Sequence, residues 1–377
     1  MNPPPDARAG ARAESDRRFM RRALALARAR AGLTTPNPSV GCVLVRGGRL
    51  VGQGATGRGG RPHAETVALT RAGRLARGAT AYLTLEPCAH RGRTPACARA
   101  LVAGGIARAV VGCLDPYPPV RGRGIAILSK AGIPVETGVL ENECRALNEG
   151  FITRVRRRRP FGILKLATSL DGRIAAASGD SQWISSARSR AIVHRWRREC
   201  DAVVVGAGTV IKDNPRLTCR IARGRDPVRV VIDARLRTPP TALVFTERSA
   251  ATALLVTLVK NLPRARRRYA NPRVEVVGCR GRDGEIDLQA MMAEFARRGW
   301  CKVLFEGGAH LAGSALRARI IDRVAFFIAP KVLGAGLPAV QGLETRRVRE
   351  AIGLRNVSVR RIAGDALIEA RPVTRPR

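Results

Sequence analysis

Aromatic residues are scarce. Three tryptophans, three tyrosines and eight phenylalanines make up 4% of the 377 positions. Proteins that grip single-stranded nucleic acid use rows of stacking rings, and this chain has few to offer. No run of about 18 uncharged apolar residues exists, so the sequence predicts no transmembrane helix and no membrane partner. The first 18 residues hold Pro, Ala, Arg and acids but no apolar core of a secretory signal. Acidic residues number 29 against 68 basic ones, for a net charge of +39. Lysine is nearly missing as well: six lysines stand beside 62 arginines. The excess is spread along the chain, +13 in residues 1–150 and +26 in 151–377. That spread reads as arginine replacing lysine over the surface. It predicts stickiness at low salt and no specific nucleic-acid partner. Nine cysteines, an odd number widely scattered, argue against a disulfide scaffold and for a reducing, cytoplasmic setting.

What is present is enough for two domains. Hydrophobic residues reach 45%, ordinary for a globular core. After a polar tail, Phe19, Ala23, Leu26 and Ala27 fall at helical spacing, and Thr35-Pro36-Asn37-Pro38 breaks that helix. Val40–Val45 and Val51–Gly54 read as a hairpin across Gly47-Gly48. A helix follows from near His63 to Gly73. Strands at Ala79–Leu85 and Ala109–Gly112 alternate with helices at Pro95–Val102 and up to Gly132, and Glu141–Phe151 reads as a closing helix. From Phe161 the alternation restarts. Strands are predicted at Ile163–Ala167, Ala202–Val205, Val228–Ile232, Leu254–Val259, Val274–Val277, Val303–Phe305 and Val324–Ile328, with helices at Ser186–Arg198 and Leu288–Arg298. The fold class is therefore α/β in both halves. The boundaries expected are a disordered tail at 1–18, a first domain at 19–150, a basic linker at 151–160 and a second domain at 161–377.

The first half carries a metal pattern. His63-Ala64-Glu65 is followed by Pro87-Cys88 and then by Cys97. Catalytic zinc takes three protein ligands and leaves one position open. His63, Cys88 and Cys97 supply three, and the cation makes water a usable nucleophile near neutral pH. Glu65 is not a ligand in this reading. It shuttles protons, provided it leaves the same first helical turn as His63. Cys88 after Pro87 suits the start of another helix, whose positive end steadies a thiolate. Zinc deaminases of nucleobases carry H-x-E and then P-C-x-x-C. Here the last cysteine lies beyond an insert, Ala89 to Ala96, in which His90, Arg91, Arg93 and Thr94 offer cations and donors. Such groups suit either a polynucleotide backbone or the terminal phosphate of a small molecule.

In the second half, Gly206-Ala207-Gly208 is only G-x-G, with Ile211 where a third glycine belongs, so a standard doubly wound NAD domain is not predicted. Glu306-Gly307-Gly308 after Val303–Phe305 is the better turn for a pyrophosphate, with small residues between strand and helix.

Taken together, these motifs closely resemble one family. T-P-N-P-S-V-G at 35–41, H-A-E at 63–65 and P-C-A-H-R-G-R-T-P-A-C at 87–97 occur in the first half. K-L-A-T-S-L-D-G-R-I-A at 165–175, S-G-D-S-Q-W-I-S at 178–185, V-G-A-G-T-V-I-K-D-N-P-R-L-T at 205–218, E-G-G at 306–308 and A-P-K-V-L-G at 329–334 follow in the second. This is similar to the bifunctional deaminase–reductases of riboflavin biosynthesis, from Phe19 to about Arg371. The resemblance implies a cytidine-deaminase-like three-layer α/β/α domain and then a dihydrofolate-reductase-like α/β domain. It implies zinc-dependent deamination of 2,5-diamino-6-(5-phosphoribosylamino)pyrimidin-4(3H)-one, then NADPH-dependent reduction of the ribosyl chain. By resemblance Asn37 and the Ala64 backbone meet the pyrimidine, and His90 and Arg93 meet the ribose phosphate. NADPH falls to Ala167, Trp183, Thr209, Asp213 and the turn Gly308, Ala309, His310, Leu311, Ala312, Gly313, Ser314. Substrate falls to Ser181, Arg197, Leu217, Arg220 and Glu306, the two arginines suiting a phosphate. Lys165, Asp171 and Asp213 are the candidates for the proton of the reduction, and Lys165 and Asp171 suit a structural ion pair equally well. Two departures from the family stand out: Tyr117 in D-P-Y-P, where an asparagine is usual, and Ala234 in I-D-A, where a serine is usual. Leu333, Gly334 and the stretch Val324–Ala329 are candidate subunit contacts of a homo-oligomer.

Overall fold

The computed structural model describes residues 5–90, 95–222 and 224–373, with side chains described from residue 10 onward. It divides after Arg158 into two compact units.

The first unit runs α1 (Pro5–Arg28), β1 (Gly41–Arg46), β2 (Arg49–Ala55), α2 (Ala64–Ala72), β3 (Thr80–Leu83), α3 (Cys97–Ala103), β4 (Arg108–Val111), α4 (Arg123–Lys130), β5 (Val135–Thr137), α5 (Glu141–Leu147) and α6 (Glu149–Arg157). Its sheet has the order β2-β1-β3-β4-β5. β1 is antiparallel to both neighbours, whereas β3, β4 and β5 run parallel. Val43, Leu44, Leu83, Val110 and Val111 are fully buried in one core with Met20, Ala64, Ala68 and Leu101. α2 lies hard against β2. A Cβ on Gly54 would sit 2.3 Å from the Ala64 carbonyl oxygen, so only glycine lets the helix carrying Glu65 come this close.

Two boundaries expected from sequence are corrected here. Residues 5–18 of the segment read as a disordered tail are helical and belong to α1, which Asp16 anchors while most of the other polar side chains stay exposed. Asp16 is 2% exposed and accepts both forked N–H groups of Arg108 at 2.8 Å and the Tyr82 hydroxyl at 2.9 Å. The segment read as a basic linker is largely α6. Its arginines crowd the last helical turn, where the helix dipole favours cations, and Arg154 donates to the Pro36 carbonyl at 2.9 Å. β5 was not foreseen. Three residues with a half-exposed pattern carry too little periodicity.

The second unit runs β6 (Phe161–Thr168), β7 (Arg173–Ala175), α7 (Ala187–Glu199), β8 (Ala202–Gly206), α8 (Ala207–Asp213), β9 (Val228–Ile232), α9 (Leu243–Thr246), β10 (Ala253–Leu258), α10 (Leu262–Arg268), β11 (Val274–Cys279), β12 (Gly281–Arg282), β13 (Glu285–Ile286), α11 (Leu288–Arg297), β14 (Lys302–Phe305), α12 (Ala309–Arg317), β15 (Arg323–Ile328), β16 (Leu337–Pro338), β17 (Leu354–Ile362) and β18 (Asp365–Pro372). Nine strands form one sheet in the order β11-β10-β9-β8-β14-β6-β15-β18-β17. Seven of them run parallel, and the β17–β18 hairpin closes one side antiparallel. Alternate residues serve two cores. Leu164, Leu166 and Val204 enter one, Ile163, Val203 and Val205 the other. Burial on both faces is why these strands read as unbroken apolar runs. β14 returns from the far end of the chain to lie between β8 and β6, so the connections leave in opposite directions there. Ligands of parallel sheets bind at such a switch point, beyond the carboxyl ends of the strands.

The stretch Val324–Ala329, read as a subunit contact, is core instead. Val324, Ala325, Phe327 and Ala329 are each 3% exposed or less. The uncovered surface is β17, exposed along nearly its whole length on both faces.

Candidate active sites

His63 caps the start of α2, with Glu65 in the first turn, as the spacing predicts. His63 Nδ1 lies 3.2 Å from Cys97 Sγ and 3.7 Å from Cys88 Sγ. The three ligand atoms fall within 4.8 Å of one another, the one such group among the described residues. Cys88 does not begin a helix, contrary to the sequence reading. It sits outside any helix or strand, and α3 begins at Cys97, past the insert. The helix end still serves the expected purpose, since the Cys97 N–H donates to Cys88 Sγ at 3.2 Å. Hydrogen bonding from Cys97, joined by His63, draws the Cys88 thiol down to about 4. Glu65 is 4% exposed and outside the ligand group, and burial pushes its carboxyl up. One imidazole and two sulfurs in contact, with a buried carboxylate beside them, fit the donor set and open position of a catalytic zinc.

Asn37 reaches the loop ahead of His63, donating to the Gly59 carbonyl at 3.4 Å. His90 stands edge-on to Tyr117, ring centroids 6.3 Å apart, so the departing residue of D-P-Y-P faces the insert. Arg93, Arg91 and Thr94 lie outside the described residues. Sequence reasoning missed Glu86. It is 3% exposed and its carboxylate accepts the N–H groups of Asp115, Gly122, Gly124 and Ile125 at 3.0–3.4 Å. Glu86 thereby ties the strand end carrying Pro87-Cys88 to the loop carrying Asp115 and Tyr117. Burial raises the Asp115 carboxyl to about 6. The only sequence signal for Glu86 was an acid in a buried strand exit.

In the second unit two cavities adjoin at the switch point, of about 600 Å³ and 670 Å³, sharing Ile174, Ser181, Thr209, Asp213 and Gly308. The first is walled by the amino ends of α8 (Gly206–Thr209) and α12 (Gly308–Leu311), with Ser314 and Ala234. The Gly308 N–H donates to Thr209 Oγ1 at 3.2 Å, joining the two helix starts. Ala312 and Gly313, expected to face cofactor, do not line it. Ala312 is fully buried, and a Cβ on Gly313 would meet the Gln341 carbonyl oxygen at 1.7 Å. Helical rotation turns these two positions inward.

The second cavity gathers Lys165, Ala167, Ser181, Trp183, Arg197, Leu217, Arg220 and Glu306. Ala167 and Trp183, expected to meet cofactor, line this second cavity and not the first. Arg197 forks onto Glu306, Nε to Oε1 at 2.6 Å and Nη2 to Oε2 at 2.9 Å, and donates to the Thr218 carbonyl at 2.9 Å. Burial pushes the Glu306 carboxyl up, but Arg197 and then Lys165 outweigh it and hold it below the usual range. Burial pulls the Lys165 ammonium down against the pull of Glu306. The alternative Lys165–Asp171 ion pair is not formed. Asp171 instead accepts the N–H groups of Leu333 and Gly334 at 3.1 and 2.8 Å. His194 lines this cavity with Nδ1 buried and without a hydrogen-bond partner, and sequence reasoning missed it.

Comparison with known proteins follows this geometry. Residues 13–113 match the model of the cytidine and deoxycytidylate deaminase zinc-binding region, and residues 160–368 match that of the RibD C-terminal domain. The riboflavin biosynthesis protein RibD of Aquifex aeolicus is 40% identical over 356 residues, covering 94% of this chain and 98% of that one. The protein of the same name from Escherichia coli is 40% identical over 346 residues, covering 87% and 92%. The crystal structure of a diaminohydroxyphosphoribosylaminopyrimidine deaminase/5-amino-6-(5-phosphoribosylamino)uracil reductase from Thermotoga maritima is 37% identical. It superposes with a TM-score of 0.87 over 96% of this chain and all of that one.

Proposed function

The chain belongs to the RibD family of bifunctional riboflavin-biosynthesis enzymes, and on that premise we propose how its own residues divide the work. Its two activities are a zinc-dependent deaminase and an NADPH-dependent reductase. The first releases the 2-amino group of 2,5-diamino-6-(5-phosphoribosylamino)pyrimidin-4(3H)-one as ammonia. The second converts the ribosyl chain of that product to ribityl, giving 5-amino-6-(5-phosphoribitylamino)uracil.

The observation that carries the deaminase assignment is the convergence of His63, Cys88 and Cys97 beside buried Glu65. These three residues hold zinc, which when bound is a Lewis acid that makes water nucleophilic near neutral pH. Glu65 takes a proton from the attacking water and delivers it to the leaving amine nitrogen. Its burial keeps bulk water from competing for that proton. Asn37 and the Ala64 backbone orient the pyrimidine, and His90 and Arg93 receive the phosphate. Tyr117 brings a hydroxyl to the same region and donates to phosphate in place of the usual amide.

In the second unit, the helix starts at Gly308–Leu311 and Thr209 hold the cofactor pyrophosphate, because both line the first cavity and the first turn of a helix favours an anion. Asp213, Ala167 and Trp183 position its nicotinamide end, and Ser314 closes the wall. NADPH, when bound, supplies the hydride. Ser181, Leu217 and Arg220 bind the substrate. Arg197 acts with Glu306 as a buried pair that orders the cavity floor, so Arg220 carries more of the phosphate charge than Arg197.

The deaminase domain ends at Arg158 and the reductase domain begins at Arg159. Among the described residues no helix is long and apolar enough to cross a membrane. The nine thiols, all unbridged, suit the cytoplasm. The partner is a small phosphorylated pyrimidine and no specific nucleic acid. β17 is the surface on which a second copy docks, as an uncovered sheet edge carrying Val357 and Val359.

The test is a coupled assay on the diaminopyrimidine ribose phosphate. Ammonia released without NADPH, followed by NADPH oxidation only after deamination, is expected. Ammonia with no NADPH oxidation would remove the reductase assignment, and no ammonia from zinc-loaded protein would remove the deaminase one.

A further inference from the structure

The loop after β4 carries Tyr117, the residue that departs from the family, and one buried carboxylate holds both ends of that loop. Glu86 stands at the exit of β3, two residues before the ligand Cys88 and four before His90. Its Oε2 accepts the N–H of Asp115 at 3.2 Å and that of Gly122 at 3.0 Å, the two ends of the stretch 115–122. Its Oε1 accepts the N–H groups of Gly124 and Ile125 at 3.0 and 3.4 Å, in the first turn of α4. The loop is cross-tied between these anchors. Asp115 Oδ1 accepts the Tyr117 N–H at 2.8 Å, and the Tyr117 carbonyl accepts the N–H groups of Val120 and Arg121 at 2.8 and 3.0 Å. Val120 is plugged inward, 2% exposed, whereas the Tyr117 ring stays 44% exposed and edge-on to His90. The start of α4 also presses on the strand exit, since a Cβ on Gly124 would sit 2.0 Å from the Pro87 carbonyl oxygen.

Four N–H groups converging on one side chain call for a carboxylate, which accepts at both oxygens and donates nothing. A glutamine there would turn its own NH2 toward two of the donors. Among the described residues, the hydrogen bonds this carboxylate accepts all come from the backbone. Its charge is therefore spent on geometry. Cys88 and His90 follow Glu86 on the same strand exit, so one side chain sets where the Tyr117 loop stands relative to both. In a fitted site, a shift of about 1 Å in such a group costs on the order of 100-fold. We infer that Glu86 is a positioning residue of the deaminase, which fixes Tyr117 against His90 and thereby sets the preference for the phosphorylated over the dephosphorylated substrate.

This inference rests on the reading of His90 and Tyr117 as the phosphate end of the deaminase site, and the test separates the two. Ammonia release by the full zinc-loaded chain is followed on the diaminopyrimidine ribose phosphate and on the same compound without its phosphate. The parent is expected to favour the phosphorylated compound in kcat/KM by about 100-fold. Glu86→Gln should raise KM for that compound about 30-fold, with kcat within about threefold, because only binding of the phosphate end is lost. Its kcat/KM on the dephosphorylated compound and its zinc content should match the parent. Glu86→Asp keeps the charge with one methylene less reach and should raise KM about fivefold; it carries the comparison if Glu86→Gln does not fold. A parent that takes both compounds equally well would remove the phosphate reading and the inference with it. A parent that discriminates, with variants that discriminate equally, would overturn the positioning role alone. So would zinc loss from a folded variant, or a fall in kcat on both compounds alike, since either makes Glu86 a support of the metal centre.

Discussion

A buried carboxylate earns its place either by accepting hydrogen bonds or by moving protons, and the deaminase unit has one of each. Glu86 spends its oxygens on four backbone N–H groups. Glu65 has no such cage and stands beside the ligand cluster. The two roles separate by mutation. Glu65→Gln keeps the shape, so zinc content measured by elemental analysis is expected to stay at the parent level. Ammonia release should fall by about a thousandfold, and unchanged release would sink the shuttle role. Glu65 was legible in the sequence because H-A-E fixes it in the first helical turn, beside a ligand. Glu86 was not, since nothing local reveals that four N–H groups from 29–39 residues downstream converge on it. Arg197 was legible as a functional cation. Its commitment to Glu306 was not, because the two are 109 residues apart.

Elements are held by the same kind of distant pair. α1 packs by its apolar face, with Met20, Ala23 and Leu24 buried, and is locked by Asp16 on the Arg108 fork of β4. Burial raises the Asp16 carboxyl, but the Arg108 and Tyr82 hydrogen bonds outweigh it and the net shift is downward. A carboxyl lowered in the fold adds stability above its unfolded value near 4 and loses that contribution as pH falls through the folded value. Asp16→Asn is therefore expected to cost about 2 kcal/mol near pH 7. The two proteins should converge in thermal unfolding once the pH falls below the lowered Asp16 value. A gap that persists in acid would show that Asp16 acts through packing instead. The seven parallel strands of the large sheet were read to within about two residues at each end, because continuous β-branched runs have few other uses, whereas the short strands β7, β12, β13 and β16 were not foreseen. The β17–β18 hairpin was missed. β17 reads L-R-N-V-S-V-R-R-I and buries neither face, so it lacks the apolar run by which the other strands are recognised.

For the whole molecule, the two activities should part under chelation. Removing zinc is expected to abolish ammonia release while NADPH oxidation on deaminated substrate continues, since no second group of three metal-binding side chains exists among the described residues. Loss of both activities would place zinc in the fold rather than in one site. Self-association belongs to this scale too. Val357 and Val359 are 58% and 65% exposed on β17. Val357→Arg with Val359→Glu should shift the chain toward monomer in light scattering, by charging an edge that pairs with a second copy. An unchanged mass would remove β17 as the docking edge.

The sequence by itself determined what local spacing and composition can encode. It determined the α/β alternation, the ligands His63, Cys88 and Cys97, the position of Glu65 in the first turn of a helix, and the small residues at the start of α12. The elements and turns depend on neighbours within about ten residues, where helix and strand periods act directly, and the ligands on two short motifs whose residue types name the metal chemistry. The tertiary structure alone decided which side chains are spent on one another. It paired Arg197 with Glu306 and Asp16 with Arg108, and gathered both ends of the Tyr117 loop on Glu86. Such choices depend on strand order and on the burial it produces, because an ion pair across 100 residues leaves no periodic trace along the chain.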